Sequence, residues 1–319
     1  MQNYASEFKT LEYIIAQAKN ILLVAHTRPD PDTVGSNSAL HEHLVALGKN
    51  VTIACYDPFP DALLALGKKE FVHPDTLELG QFDAVLALDS VDRGFHLFRH
   101  QLREDQVVVL MDHHPDIELH GDVVIIDKDY SSTSELLYLY LKQTGARITK
   151  RMATYMLAGL VFDTGGFKHS KVSPEVMEMA STLMQKGAPL EKISQIIFAH
   201  QNIGALRLWG KAIEKARLYT TNGMLVTAVT REEIEQCQAS REDIYQLTSI
   251  LSTIPDAKFA LVLSERDEYT VRGSLRSMDH HGVDVSSIAH QFGGGGHHLA
   301  SGFEVPGQLV ETGAGFAIL

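Results

Sequence analysis

The sequence predicts an α/β protein: an N-terminal domain built on a parallel sheet and a second, smaller α/β domain after it. Short, wholly apolar runs of strand length alternate with segments of helical periodicity, which is the βαβ pattern. Three of the four such runs before residue 112 stop at a histidine or an aspartate. The chain has 319 residues, more than one ordinary core holds.

Residues 11–20 read as a helix leading into Ile21–Ala25, a buried strand that ends at His26. Ser36–Leu47 has helical apolar spacing and stops at Gly48, and Val51–Cys55 is the next strand. Ala84–Leu88 and Val107–Met111 follow, closing on Asp89 and Asp112. All-apolar strands of this kind lie centrally in a parallel sheet covered on both faces, and ligands bind beyond the carboxyl ends of such strands. Helices are expected over 134–142 and 153–160, the second running toward Asp163 and Gly165-Gly166. A helix-rich stretch from Pro174 to about Leu218 separates the domains, giving 1–195 as the first domain, 196–215 as a helical linker and 216–319 as the second. In the last of these, Met224–Thr230, Phe259–Leu263 and Tyr269–Ser277 read as strands.

Composition removes several classes of function. Hydrophobic residues at 45% and charged residues at 21% are those of a globular protein. No leader-like N-terminus and no apolar run of membrane-spanning length occurs, so a cytoplasmic protein without membrane contact is expected. Cys55 and Cys237 lack the spacing of a redox or zinc site. A net charge of −12 argues against a long nucleic-acid track held by a broad basic surface. The 16 histidines, many close to carboxylates, point instead to a metal site.

His26, Asp30 and Asp32 fall within seven residues directly after a predicted strand, and Pro29 and Pro31 would pin the turn that aims the two aspartates. Asp89 ends another strand. At Asp112-His113-His114 adjacent side chains diverge, so one imidazole can take a metal while the other faces substrate, with Asp112 orienting the ligating ring. With Asp163, these residues supply enough ligands for two divalent ions if one carboxylate bridges them. Imidazole mixed with several carboxylates suits manganese, iron or zinc better than calcium.

The order H-x-x-P-D-x-D at 26–32, a strand-terminal Asp89, D-H-H at 112–114 and a later Asp163 resembles the DHH phosphoesterase family. Ser131–Glu135, Val271–Ser277 and Asp284–Phe303 extend the resemblance to the branch with a DHH-associated C-terminal domain, which includes bacterial nanoRNA-degrading enzymes that also dephosphorylate 3′-phosphoadenosine 5′-phosphate (pAp). The resemblance implies that residues 1–195 are catalytic and 216–319 bind substrate, with the active site in the cleft between the two domains. It also implies one ion on His26, Asp30 and Asp89 and another on Asp32, Asp89, His113 and Asp163, with Asp89 bridging. Manganese is favoured, and magnesium and cobalt are the alternatives. There are two departures. Relatives often carry an arginine at the position of Gly166, and the tail from Val305 lacks their usual polar amphipathic ending, so a final helix is expected to be short or absent.

Consecutive glycines at Gly293, Gly294, Gly295 and Gly296 allow backbone N–H groups to converge on an anion, and no Walker sequence follows them. Arg272 and Arg276, four apart on one strand, share a face and could clamp phosphate together with His297. In the expected chemistry His114, supported by Asp112, acts at the scissile phosphate while two ions activate water for in-line attack. The expected substrates are oligonucleotides of about 2–5 residues, or pAp converted to AMP, with RNA and DNA both open and a homodimer compatible with the chain. The rival activities are hydrolysis of cyclic dinucleotides or of linear pApA and pGpG, single-strand exonuclease activity, and pyrophosphate hydrolysis. From another class, a silent nucleotide-binding module is disfavoured because every ligand residue is present.

Overall fold

The computed structural model describes residues 4–66, 70–114, 119–198, 203–313 and 315–319, apart from the side chains of Asp92, Arg241 and Glu242. By contacts the chain divides into two units, Met1–His200 and Gln201–Leu319. Residues 199–202, within the stretch expected to be a linker, lie outside the described residues. Among the described residues no helix is long and apolar enough to cross a membrane.

Unit 1 runs α1 (Ala5–Gln17), β1 (Asn20–Val24), α2 (Pro31–Ala46), β2 (Asn50–Ala54), a short α3 (Asp61–Leu64), β3 (Ala84–Leu88), a short α4 (His96–Phe98), β4 (Val107–Asp112), β5 (Val123–Ile126), α5 (Thr133–Gln143), α6 (Lys150–Asp163), α7 (Pro174–Gln185) and α8 (Leu190–Phe198). Five strands form a parallel sheet in the order β2-β1-β3-β4-β5. Side chains alternate between two apolar layers. Ile21, Leu23, Leu86, Leu88, Val109 and Met111 pack on one face, and Leu22, Val24, Val85, Ala87, Val108 and Leu110 on the other. A strand buried on both faces cannot alternate polar with apolar, which is why these runs read as continuously hydrophobic. The four-residue β5, absent from the sequence expectation, is too short to carry a periodic signal.

The helix α2 begins five residues earlier than its apolar spacing indicates. Asp30 is its N-cap, accepting hydrogen bonds from the amides of Asp32 (2.9 Å) and Thr33 (3.1 Å), and Pro31 takes the first helical position where no donor is needed. Asp32 therefore sits in the first turn of a helix and not in a proline-pinned loop. Its carboxylate reaches α6 because position 159 has no side chain: a Cβ there would overlap Asp32 Oδ1 and Ser134 Oγ.

Unit 2 comprises α9 (Ile203–Glu214), β6 (Arg217–Tyr219), β7 (Met224–Val229), α10 (Arg231–Cys237), α11 (Arg241–Leu251), β8 (Phe259–Asp267), β9 (Thr270–Ser277), α12 (Val285–Gln291), β10 (Gly295–His297), β11 (Ala300–Pro306), β12 (Leu309–Thr312) and β13 (Gly315–Ile318). Its six-stranded sheet has the order β10-β11-β9-β8-β7-β6, mostly antiparallel with β7 and β8 parallel. On one face, Ala205, Leu208, Trp209 and Ala212 of α9 and Ile244, Leu247 and Leu251 of α11 cover Leu225, Val229, Ala260 and Val262. Capping boxes at Thr230/Glu233 and Ser240/Asp243 start the two helices that precede β8. The tail forms an antiparallel hairpin of β12 and β13.

Candidate metal centre and phosphate-binding cavity

The strand order of unit 1 reverses between β1 and β3, and that reversal opens a crevice at their carboxyl ends. His26 leaves β1 and Asp89 leaves β3 there, beside His113 at the end of β4. His26 Nδ1 lies 2.7 Å from the carbonyl of Thr27 and donates to it, which turns Nε2 toward Asp30 Oδ2 (3.1 Å) and Asp89 Oδ2 (3.6 Å). His113 Nε2 faces Asp163 Oδ2 at 3.2 Å and Asp89 Oδ1 at 3.7 Å. Three sets of ligand atoms are close enough to hold an ion: His26, Asp30 and Asp89; Asp32, His113 and Asp163; and Asp89, His113 and His114. Asp89 belongs to two of them, and its Oδ1 lies 3.7 Å from His113 Nε2 of the third, a placement open to a bridging carboxylate.

The backbone at Asp89 has φ of 56°, a left-handed conformation that aspartate tolerates better than most residues. Its amide donates to the carbonyl of Met111 at 3.0 Å. The amino end of α5 serves Asp32: the amides of Thr133 and Ser134 donate to Oδ2 (2.7 Å) and Oδ1 (3.0 Å), and the Thr133 hydroxyl donates to Asp89 Oδ1 at 3.3 Å. Two amides at a positive helix end hold an anion in place. Asp163, by contrast, is the last residue of the 14-residue α6, where the helix dipole opposes a negative charge.

The electrostatics of this cluster call for a cation. Burial, then the charges of Asp32 and Asp30, hold the Asp89 carboxyl well above the ordinary carboxylate range. Burial and Asp30 do the same to Asp163, and burial with Asp163 pushes Asp32 up to about 7. Burial also raises Asp30, but its close approach to the His26 ring outweighs that and holds the carboxyl low. Burial keeps His113 below the ordinary imidazole range, hence neutral and able to ligate. Asp163 Oδ2 and His26 Nε2 are buried without a hydrogen-bond partner. Orphaned imidazole nitrogen and carboxylate oxygen among crowded acids fit a pair of divalent ions.

Metal removal should therefore show in stability. A carboxyl whose pKa rises on folding contributes stability below its unfolded pKa and loses it as pH climbs through its folded value. The Asp32 contribution thus fades between roughly pH 4 and about 7. Ligation needs the ionised form, so the affinity for manganese must rise over the same range. Differential scanning fluorimetry of chelator-treated protein should show Tm falling from pH 6 to 8. Manganese at a thousandfold excess over Kd should restore on the order of 4 kcal/mol at the higher pH and less at the lower. A manganese effect independent of pH would contradict this.

Asp112 is not among the ligand atoms. It accepts from the amide of His114 (3.0 Å), from His114 Nδ1 (2.7 Å) and from the amide of Val91 (3.2 Å). It orients the ring of His114, whereas the sequence pointed to the metal-binding ring. His114 Nε2 lies 2.8 Å from Arg93 NH2, and because guanidinium only donates, Nε2 accepts and Nδ1 carries the proton. Arg93 was not legible in the sequence. It sits in a π-helical turn, Val91–Phe95, whose φ of −121° at Arg93 breaks helical geometry directly beside the site. The stretch Ser131–Glu135, which in the sequence carried only the family resemblance, starts α5, with Ser132 Oγ accepting from the Glu135 amide, and its service to Asp32 was not legible.

In unit 2, Arg272, Ser274 and Arg276 on β9 and Tyr245 and Thr248 on α11 line a cavity of about 190 Å³ that also includes Gly295, Ser301 and Gly302. Arg276 is drawn below its ordinary pKa by burial. Its hydrogen bond is a long one to Ser249 Oγ (3.5 Å), and among the described residues no carboxylate lies within ion-pair distance. Arg272 differs: Glu304 is 3.3 Å away and also pairs with Arg266. The glycine run divides. The amides of Gly293 and Gly294 donate to the carbonyls of His290 and Ala289, finishing α12, so they are not turned to an anion. Gly295, Gly296 and His297 form β10 against β11, with Gly295 at the cavity and a Cβ at Gly296 excluded by Ala300 and Ser301. His297 falls on this edge strand and is not among the cavity's lining residues.

Residues 20–160 match the DHH family, N-terminal domain, and residues 222–313 the DHHA1 domain. The chain is 27% identical over 288 residues to the Thermus thermophilus protein named bifunctional oligoribonuclease and PAP phosphatase NrnA, covering 90% of this chain and 84% of that one. It is 26% identical to the Bacillus subtilis protein of the same name, with 89% of each covered. The crystal structure of an exopolyphosphatase-related protein from Bacteroides fragilis superposes with a TM-score of 0.86 at 26% identity, covering 95% of this chain and 92% of that one.

Proposed function

For a chain that carries a DHH family N-terminal domain followed by a DHHA1 domain, we propose metal-dependent hydrolysis of phosphoesters in oligonucleotides of about 2–5 residues, and of pAp to AMP. The carrying observation is the buried cluster in which Asp89 is common to two sets of metal-ligand atoms. His26, Asp30 and Asp89 would hold one ion and Asp32, Asp89, His113 and Asp163 the other, with manganese the first choice for so carboxylate-rich a set. When bound, two such ions polarise the phosphoryl oxygens and lower the pKa of water for in-line attack.

The chain's own groups do the rest. Thr133 and Ser134 fix Asp32, and the Thr133 hydroxyl fixes Asp89, so the ligands need little reorganisation. Asp112 holds the proton of His114 on Nδ1, and the ring in turn holds the Arg93 guanidinium at 2.8 Å. Arg93 then offers fixed donors and a permanent positive charge to the scissile phosphate, matching the charge that develops in the transition state. Because Arg93 is part of this arrangement, His114 in its resting tautomer is a holder of geometry before it is a proton donor.

The names of the two NrnA relatives favour short substrates, and so does the charge of this chain, which at −12 argues against a continuous phosphate-neutralising surface. Binding energy should saturate after a few nucleotides. Assay of manganese-loaded protein on pAp, pGpG, RNAs of two to about 25 nucleotides, long single-stranded DNA and pyrophosphate tests this. We expect kcat/KM to be highest for the shortest RNAs and to decline with length. Rates that hold or climb with length would favour a processive exonuclease instead.

A further inference from the structure

We propose that Tyr245 and Arg272 form a nucleobase shelf beside the Arg276 phosphate grip, so that the cavity of unit 2 takes a nucleoside monophosphate end and not phosphate alone. The two arginines of β9 are in different electrostatic states. The charge of Arg272 is taken up by Glu304, and its guanidinium carbon lies 5.2 Å from the centroid of the Tyr245 ring, which holds the guanidinium as a plane. Arg276 has no such acid among the described residues, and it shares the cavity with Tyr245.

Spacing along both elements produces this arrangement. Residues 272, 274 and 276 alternate onto one face of β9, and residues 245, 248 and 249 fall on one face of α11 above it. Tyr245, 37% exposed, borders a second cavity of about 130 Å³ that continues past Arg272 to Ser264, Glu265, Arg266 and Glu304. Between the two cavities lie Arg272 Nε and Ser274 Oγ, both buried and without a hydrogen-bond partner, and Ser274 is only 5% exposed. Unsatisfied donors at the floor of a polar cavity ask for acceptors from a ligand. A nucleobase edge carries ring-nitrogen and carbonyl acceptors, and its face stacks on the tyrosine ring or the guanidinium plane.

The inference deepens the nucleotide reading of this protein and rests on it. It is tested by calorimetric titration of the full-length, manganese-loaded protein with AMP and with ribose 5-phosphate, which share a phosphate and a ribose and differ in the base. The native protein should bind AMP about tenfold or more tightly than ribose 5-phosphate, as expected for one stacked base. Tyr245→Leu should abolish that preference while leaving ribose 5-phosphate affinity within about twofold, and Tyr245→Phe, which keeps the ring, should restore it. An unchanged manganese-induced Tm shift shows that each variant is folded. Loss of affinity for both ligands by the same factor in Tyr245→Leu, or no preference for AMP in the native protein, overturns the shelf. Hydrolysis is scored separately: AMP preference without turnover of pAp leaves the shelf standing and removes the proposed activity.

Discussion

Asp89→Asn is expected to lower manganese-dependent kcat by on the order of a thousandfold while leaving the protein folded. Asparagine is nearly isosteric and accepts the left-handed backbone found here, φ of 56°, so the turn after β3 should survive. The amide keeps an oxygen for the Thr133 hydroxyl. What it loses is the negative charge shared between two sets of ligands, without which neither ion is held against the other. The metal-free variant should be as stable as the native protein or more so, because one of the crowded carboxylates has gone. Its Tm should respond to manganese much less than that of the native protein. A folded variant that keeps more than about a tenth of native turnover would sink the two-ion assignment.

Arg276→Ala should act on the other half of the activity, raising KM for substrates with a terminal phosphate by roughly 10- to 100-fold, the range for loss of a charged hydrogen bond in a desolvated cavity. The change in kcat should be small, because Arg276 lines the cavity of unit 2 and is not among the metal-ligand candidates of unit 1. His114→Ala should show the reverse pattern, since the Asp112–His114–Arg93 chain lies beside the ligand cluster of unit 1. A substrate without a terminal phosphate should show little difference between native protein and Arg276→Ala. Steady-state kinetics on pAp and on an unphosphorylated dinucleotide measure both effects. Equal KM values for pAp in native protein and Arg276→Ala would exclude the phosphate grip.

The amino-acid sequence by itself determined the strands β1 to β4 and the chemistry available at their ends. A strand buried on both faces must be apolar throughout, so polar residues at its terminus stand out: His26, Asp89 and Asp112 were legible for that reason. The local signals of β7, β8 and β9 carried the second unit in the same way. Contacts between distant segments were not legible, because periodicity and spacing report only what is near in sequence. Tertiary structure alone decided that α5, about 100 residues later, secures Asp32, whereas the Asp30 cap of α2 is a local Asp-Pro signal that the apolar spacing passed over. It also gave Asp112 to His114 instead of His113 and placed Arg93 against that ring from within an irregular turn. The glycine run read as one anion-binding loop, yet Gly293 and Gly294 complete α12 and only Gly295 reaches the cavity. Tyr245 and Arg272 lie 27 positions apart with no motif joining them, and it is the packing of α11 across β9 that brings ring and guanidinium to 5.2 Å. Composition and strand ends thus set which groups are present, and helix packing across the sheets sets which of them meet.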